Sequence, residues 1–307
     1  MFASNINLYS EHPSSEIHAD RTEAAASKDL NPGAKKLSAY LITSEGGHIK
    51  ARSEKPSEYP ERLPVPDRYV PWDAEFPGYR PTYYVSPVVL QNSSETIKGG
   101  WANPENFALL QGKEFHSFEG RVRLDAKGRP LNPYGRTGLS GRGLLGKWGA
   151  NFAADPIVTR INPETEELEF LAILRVDSGE WAFPGGIVDD GELVTATLQR
   201  ELEEETGIKL DFSSGQQIYR GYVDDRRNTD FAWIETTATH LHLPLYQIAR
   251  TKNPTAGDDA KKAQWIKVDP SLKLYASHEA LLRKTMEQFD GTALPKRAQD
   301  QIRAFRR

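Results

Sequence analysis

The stretch that most limits the fold is Gly185-Gly186-Ile187-Val188-Asp189-Asp190-Gly191-Glu192, which runs on to Arg200-Glu201-Leu202-Glu203-Glu204-Glu205-Thr206-Gly207-Ile208. Leu193 to Thr206 has helical composition, and Gly207 sits where a helix hands over to a C′ residue. Val194, Leu198 and Leu202 recur every four residues and give the helix one apolar stripe, so it has to lie on something. Glu201, Glu204 and Glu205 are spaced i, i+3, i+4 and stand on one side within a single turn, while Glu203 falls on the far side. Carboxylates gathered this way repel one another. They also sit late in the helix, where the macrodipole disfavours anions. Three glutamates alone read as an ordinary solvated acidic face. Their proximity would also make sense if a hard divalent cation sat among them.

The apolar pattern around this stretch supplies a sheet. Pro156 to Arg160 and Leu168 to Leu174 read as strands, the second apolar on both faces as a central strand would be. Asp177-Ser178-Gly179-Glu180 is a turn, and Trp181-Ala182-Phe183 delivers the chain to Pro184-Gly185-Gly186. Ile218 to Val223 and Phe231 to Thr236 bracket a charged loop, Asp224-Asp225-Arg226-Arg227-Asn228-Thr229-Asp230. Ala256-Gly257-Asp258-Asp259-Ala260 precedes a strand over Ala263 to Val268. Leu274-Tyr275-Ala276-Ser277-His278 opens an amphipathic helix with Leu281, Leu282, Met286 and Phe289 on its apolar face and Ser277 placed to cap it.

The first half reads differently. Residues 1–36 mix both charges with few large apolar groups and read as a disordered tail. Leu37 to Ile42 is a short apolar segment suited to a first strand. Pro64, Pro66 and Pro71 keep Leu63 to Trp72 out of helix interiors and central strands, so it is extended chain anchored by Val65, Val70 and Trp72. Tyr83 to Leu90 is expected as a strand, Trp101 to His116 as irregular chain with a short helix, and Asp125 to Pro130 as a turn. Gly135 to Gly149 holds six glycines and reads as a connector held by Arg136, Arg142 and Trp148. Gly141 to Lys147 fits the start of a phosphate-binding loop, but Trp148 stands where a Ser or Thr hydroxyl would be needed. The expected division is a tail over 1–36, an accessory domain over 37–149 and a second domain over 150–307.

Composition removes several classes. With 39 basic and 43 acidic residues the formal charge is −4, without the basic excess of a nucleic-acid protein. No apolar run is long enough to span a bilayer, so no membrane partner is expected. There is no cysteine, which excludes disulfides and thiolate metal sites and favours an intracellular setting. The acidic residues near the N-terminus do not suit a mitochondrial presequence. A cytoplasmic monomer is therefore the expectation, with the mitochondrion as the alternative compartment.

Gly186, Glu192, Arg200, Glu201, Leu202, Glu204, Glu205, Gly207 and Ile208 match every fixed position of G-x5-E-x7-R-E-U-x-E-E-x-G-U, where U is apolar. The chain thereby resembles the Nudix hydrolases. The resemblance implies an α/β/α sandwich with a mixed sheet, preceded here by a smaller β-containing domain, and hydrolysis of a nucleoside diphosphate joined to another group. It assigns Glu201, Glu204, Glu205 and Gly185 to the metal, magnesium or manganese in its place. Glu201, Glu204, Glu205 and Arg200 become the catalytic set, with Arg200 able to pair with Glu192. Val65 to Trp72, Gly135 to Gly149, Asn151 to Thr159, Gly179 to Gly186, Gly221 to Thr236 and Lys273 to His278 resemble the animal, mitochondrial-type ADP-ribose pyrophosphatase subfamily, which also supplies the ADP-ribose-sensing domain of melastatin-type channels. That narrower resemblance implies ADP-ribose as substrate and Asp225, Arg227, Tyr275 and His278 as its contacts, with Tyr79, Tyr83 or Tyr84 as a wall. It leaves a non-catalytic ADP-ribose sensor, and a Nudix hydrolase of another nucleoside diphosphate derivative, as alternatives. A retired site would be expected to lose Glu201, Glu204 or Glu205, and all three are present.

Overall fold

The computed structural model describes residues 48–251, 253–257 and 260–306. The expected tail, the strand over Leu37 to Ile42, and Asp258 and Asp259 lie outside the described residues.

The first elements are short: α1 (Lys50–Ser53), β1 (Thr82–Val85), α2 (Pro87–Gln91), β2 (Arg123–Leu124), β3 (Pro130–Leu131) and β4 (Leu139–Gly143). The strand expected over Tyr83 to Leu90 stops at Val85, because Pro87 stands in the first turn of α2 and Ser86 takes an extended cap conformation. The segment read as a connector is more ordered than its glycines suggested. Leu139 to Gly143 is a fully buried strand parallel to β1. Its arginines serve the protein and not an anion. Arg136 donates to the carbonyls of Tyr69 and Pro71, and Arg142 donates to those of Asn103 and Gly146 and pairs with Glu105. Gly138 and Gly141 have positive φ, and a Cβ at either would run into the backbone of Leu63 or Tyr84.

From Gly149 the chain builds one mixed sheet. Its strands are β5 (Gly149–Ile161), β6 (Leu168–Arg175), β7 (Trp181–Ala182), β8 (Gly186–Ile187), β9 (Gln216–Tyr222), β10 (Ala232–His242) and β11 (Ala260–Lys267), and its helices are α3 (Val194–Thr206), α4 (Leu245–Ile248), α5 (His278–Gln288) and α6 (Lys296–Ala304). The order is β11-β6-β5-β10-β9, with β7 on β6 and β8 on β5. β5 and β10 pair in parallel and the other contacts are antiparallel. β5 is longer than the sequence suggested. Gly149 to Asp155 lacks an apolar signature, yet it pairs with β10 along its whole length.

Period-2 alternation sorts side chains to two faces. Ile157, Phe170 and Ala172 pack with Leu281, Leu282 and Met286 of α5 and Ile302 of α6. Ala154, Val158 and Leu171 point the other way, onto Leu198 and Leu202 of α3. This is the expected α/β/α sandwich. The apolar stripe of α3 is buried, and burying Leu198 and Leu202 contributes roughly 1.5–3 kcal/mol each. Gly207 ends α3 at φ +68°, as expected. Ser277 precedes α5 but makes no side-chain cap; its hydroxyl faces the Asp224 carbonyl instead.

Candidate active site

The turn after β7 sets the geometry. A Cβ on Gly185 (φ +154°) would sit 2.6 Å from Asp155 Oδ1 and 2.7 Å from the Ala154 carbonyl. A Cβ on Gly186 would fall within the Glu201 carboxylate. Gly185 is therefore required by close approach of the Ala154 backbone, while a side chain at 186 would displace the Glu201 carboxylate; the two glycines bring backbone against the acidic turn of α3. The Gly185 N–H donates to Glu205 Oε2 at 2.9 Å.

Arg200 organises the carboxylates. Its Nε and Nη2 each donate to Glu192 at 2.9 Å, a two-pronged pair that ties the loop before α3 to the helix. Its Nη1 donates to Glu201 Oε1 at 2.7 Å and to Glu204 Oε2 at 3.2 Å. The Arg200 hydrogen bonds hold the Glu192 carboxyl down at about 2. Burial pushes the Glu201 carboxyl up; Arg200 opposes this, while Glu204 and Glu192 reinforce it. Glu203 lies on the opposite side, paired with Lys209.

These residues fit a divalent cation in kind. They offer hard oxygen donors, and Glu201 is buried beside a second carboxylate with Arg200 as its neighbouring cation. The second oxygens of Glu201 and Glu204 accept no hydrogen bond among the described residues. In this conformation the positive charge between the two carboxylates is Arg200. Among the described residues no three acidic or histidine side chains are already disposed to hold a metal ion.

The second cluster lies on the loop after β9 and the start of α5. Asp225 is buried, and its carboxylate accepts from the Arg227 backbone N–H (2.7 Å), Nε (2.9 Å) and Nη2 (2.9 Å). Burial alone would raise its carboxyl; Arg227 more than offsets this and holds it at about 2. The Tyr275 ring lies under the guanidinium groups of Arg175 (4.5 Å) and Arg226 (5.1 Å), and its buried hydroxyl has no hydrogen-bond partner among the described residues. His278 stacks on Phe183, and its Nδ1 accepts the Phe183 N–H at 2.9 Å. A neutral ring, which burial favours, therefore carries its proton on Nε2.

The loop is clamped from the N-terminal half. Asp224 accepts the backbone N–H groups of Ile49, Lys50 and Ala51. Arg62 donates to the carbonyls of Arg226 and Asn228, and the Tyr59 hydroxyl donates to that of Arg227. None of Asp224, Arg62 and Tyr59 carried a sequence signal, because buried hydrogen bonding to backbone leaves no motif. Tyr79, Tyr83 and Tyr84 are engaged with Asp230, Glu105 and Tyr59, so the structure gives them packing contacts within the N-terminal half and to the far end of the loop. Asp155 was also missed. An isolated carboxylate in Ala153-Ala154-Asp155-Pro156-Ile157-Val158 was the available signal.

Comparison with known proteins matches residues 65–149 to the model "NUDT9-like, N-terminal domain" and residues 153–289 to the NUDIX domain. A putative nudix hydrolase 6 of Caenorhabditis elegans is 45% identical over 71% of this chain and 87% of its own length. The ADP-ribose pyrophosphatase, mitochondrial, of Rattus norvegicus is 39% identical over 83% of each chain. A transient receptor potential cation channel subfamily M member-like 2 of Nematostella vectensis is 39% identical over 79% of this chain, which spans 18% of that channel. Among the described residues no helix is long and apolar enough to cross a membrane.

Proposed function

The chain belongs to the Nudix hydrolase family and carries an NUDT9-like N-terminal domain, and on that premise we propose that it hydrolyses ADP-ribose to AMP and ribose 5-phosphate with magnesium, or with manganese in its place. The observation that carries the reading is the intact acidic turn of α3 joined, through Asp155 and His278, to the Asp225–Arg227–Tyr275 cluster. One half suits a diphosphate and the other a sugar end. Residues 37–149 act as an accessory unit and 150–307 as the catalytic unit of an intracellular monomer.

Glu201, Glu204, Glu205 and the Gly185 carbonyl would hold the cation. When bound, it would neutralise the diphosphate and lower the pKa of an attacking water. Arg200 keeps Glu201 and Glu204 oriented before substrate arrives. Arg227, fixed by Asp225, presents a guanidinium edge to phosphate, and Tyr275, whose buried hydroxyl is unpartnered among the described residues, is the candidate donor to a ribose oxygen once substrate opens that position.

The test is turnover with magnesium on ADP-ribose, ADP-glucose, NADH and diadenosine polyphosphates. ADP-ribose should be clearly the best substrate, and Glu204→Gln should lower turnover by about 100-fold or more. Another substrate turned over faster would remove the narrow assignment. Tight ADP-ribose binding without AMP would mark a sensor.

A further inference from the structure

Asp155 lies on β5 between the two halves of the site and belongs to neither residue set above. It is 8% exposed. Its Oδ2 accepts the Thr236 hydroxyl of β10 at 2.5 Å. Its Oδ1 lies 3.7 Å from His278 Nε2 and closes against Gly185, where a Cβ would be 2.6 Å away. One carboxylate thus touches the strand pair that forms the sheet centre, the glycine turn at the acidic helix, and the imidazole beside Tyr275.

The hydrogen-bond logic gives this position a direction. The Phe183 N–H occupies His278 Nδ1, so the ring's one proton sits on Nε2, the nitrogen that lies 3.7 Å from Asp155 Oδ1, outside direct hydrogen-bond range. Rotating the ring about its Cβ–Cγ bond would set a C–H against the Phe183 amide and leave that buried donor unmet, at roughly 1–3 kcal/mol. Phe183-Pro184-Gly185 is therefore gripped at one end by His278 and at the other by Asp155 and Glu205.

We propose that Asp155 is a positioning residue for the hydrolysis: through its contacts with His278 Nε2–H and Gly185 it fixes the Phe183–Gly185 turn relative to both the carboxylate helix and the sugar-side cluster. Its part is to hold an oxygen in a fixed place beside His278 Nε2, anchored by the Thr236 hydroxyl, not to carry charge to the reaction. This rests on the ADP-ribose reading for its kinetic arm only.

An amide at position 155 keeps the shape. Its oxygen can keep the place beside His278 Nε2 while its nitrogen donates to the Thr236 oxygen. Alanine keeps neither contact. Asp155→Ala should lower kcat/KM for ADP-ribose about 10- to 100-fold, the usual loss when a partner that orients a working histidine is removed. Asp155→Asn should stay within about threefold of the parent. Asp155→Ala and His278→Ala should be strongly non-additive, the double variant being little worse than the poorer single. A substrate-free measurement accompanies these: ¹⁵N-resolved NMR of the His278 ring should show the Nε2–H tautomer in the parent and in Asp155→Asn, and mixed tautomers or exchange broadening in Asp155→Ala. An Asp155→Asn variant as crippled as Asp155→Ala would overturn the proposal, because charge would then be what matters. Additive losses, or an unchanged His278 spectrum in Asp155→Ala, would overturn it too. If the parent itself fails to turn over ADP-ribose, the substrate reading falls while the NMR arm still decides the role of Asp155. If Asp155→Ala does not fold, Asp155→Asn and Thr236→Val carry the comparison; Thr236→Val frees one oxygen of the carboxylate and should broaden the same ring signals.

Discussion

Removing the Arg227 guanidinium puts the sugar-side cluster to a quantitative test. Asp225 is 2% exposed and accepts three hydrogen bonds from Arg227, two of them from the guanidinium at 2.9 Å. Arg227→Met keeps the backbone bond and most of the side-chain volume but leaves a buried carboxylate without its cation. Breaking such a pair from one side costs roughly 3–5 kcal/mol. The Arg227 side chain is 28% exposed, so solvent screens part of the interaction and about 3 kcal/mol is the working figure. At about 2–4 °C per kcal/mol for a chain above 150 residues, Tm should fall by about 6–12 °C at pH 7. Adding Asp225→Asn removes the stranded charge and should return most of that loss, although KM for ADP-ribose stays raised in both variants. The sign with pH follows from Asp225 being held at about 2 against an ordinary 3.8. The pair's stabilisation is complete above pH 4 and is lost as pH falls from 3.8 toward 2, so the melting difference should close near pH 2. Calorimetry of parent, both singles and the double variant checks this. A single Arg227→Met variant within about 2 °C of the parent at pH 7, or a double no more stable than the single, would refute the reasoning.

Three further outcomes follow from the same geometry. Gly186→Ala puts a Cβ within the Glu201 carboxylate; turnover should drop about 100-fold while the circular dichroism spectrum stays that of the parent, since a small displacement at a reacting centre costs far more in rate than in folding. Glu192→Gln weakens the two-pronged Arg200 pair; the carboxyl sits at about 2 in the fold against an ordinary 4.5, so a loss of about 1–2 kcal/mol should be seen in denaturant melts above pH 5 and should fade as pH falls from 4.5 to 2. Glu235, which accepts from Ser117, Phe118 N–H and Trp233, is pushed up to about 7 by burial; its ionised form disfavours the fold, so Tm should decline as pH rises from 4.5 to 7, and Glu235→Gln should flatten that slope.

The parts of the molecule that were legible in the sequence share one physical property: their signal is local. The α3 stripe, its glutamate spacing and the Gly207 stop are all set within a few turns of one helix, so periodicity and capping chemistry reveal them. The central strand β6 was legible because a strand covered on both faces is apolar throughout. What escaped depends on partners distant in sequence. Gly149 to Asp155 is a strand only because β10 lies beside it. Arg62 looks like any surface arginine until its donors are seen on Arg226 and Asn228, more than 150 residues away. Leu139 to Gly143 was masked by its glycines, which read as flexibility, whereas Gly141 lies where the Tyr84 backbone passes too close for a side chain and Gly143 lies against the Tyr59 ring. The roles of Asp225 and Arg227 came from family resemblance, since a charged loop of that composition has no pattern of its own.

Arg200 explains why a helix end this acidic folds at all. Glu192, Glu201 and Glu204 surround a single guanidinium. Glu192 takes the Nε–Nη2 edge with both oxygens and so fixes the plane of the group, which leaves Nη1 aimed between Glu201 and Glu204. Two like charges about 4 Å apart repel by about 4 kcal/mol at an effective dielectric near 20. A lysine in place of Arg200 would offer a point charge and could not be held in plane while reaching both carboxylates. The guanidinium therefore offsets that repulsion in the fold as it stands. It holds Glu201 and Glu204 in place at the expense of only one oxygen each. A cation bound there, as proposed above, would meet carboxylates already gathered, and little of its binding free energy would be consumed in overcoming their repulsion.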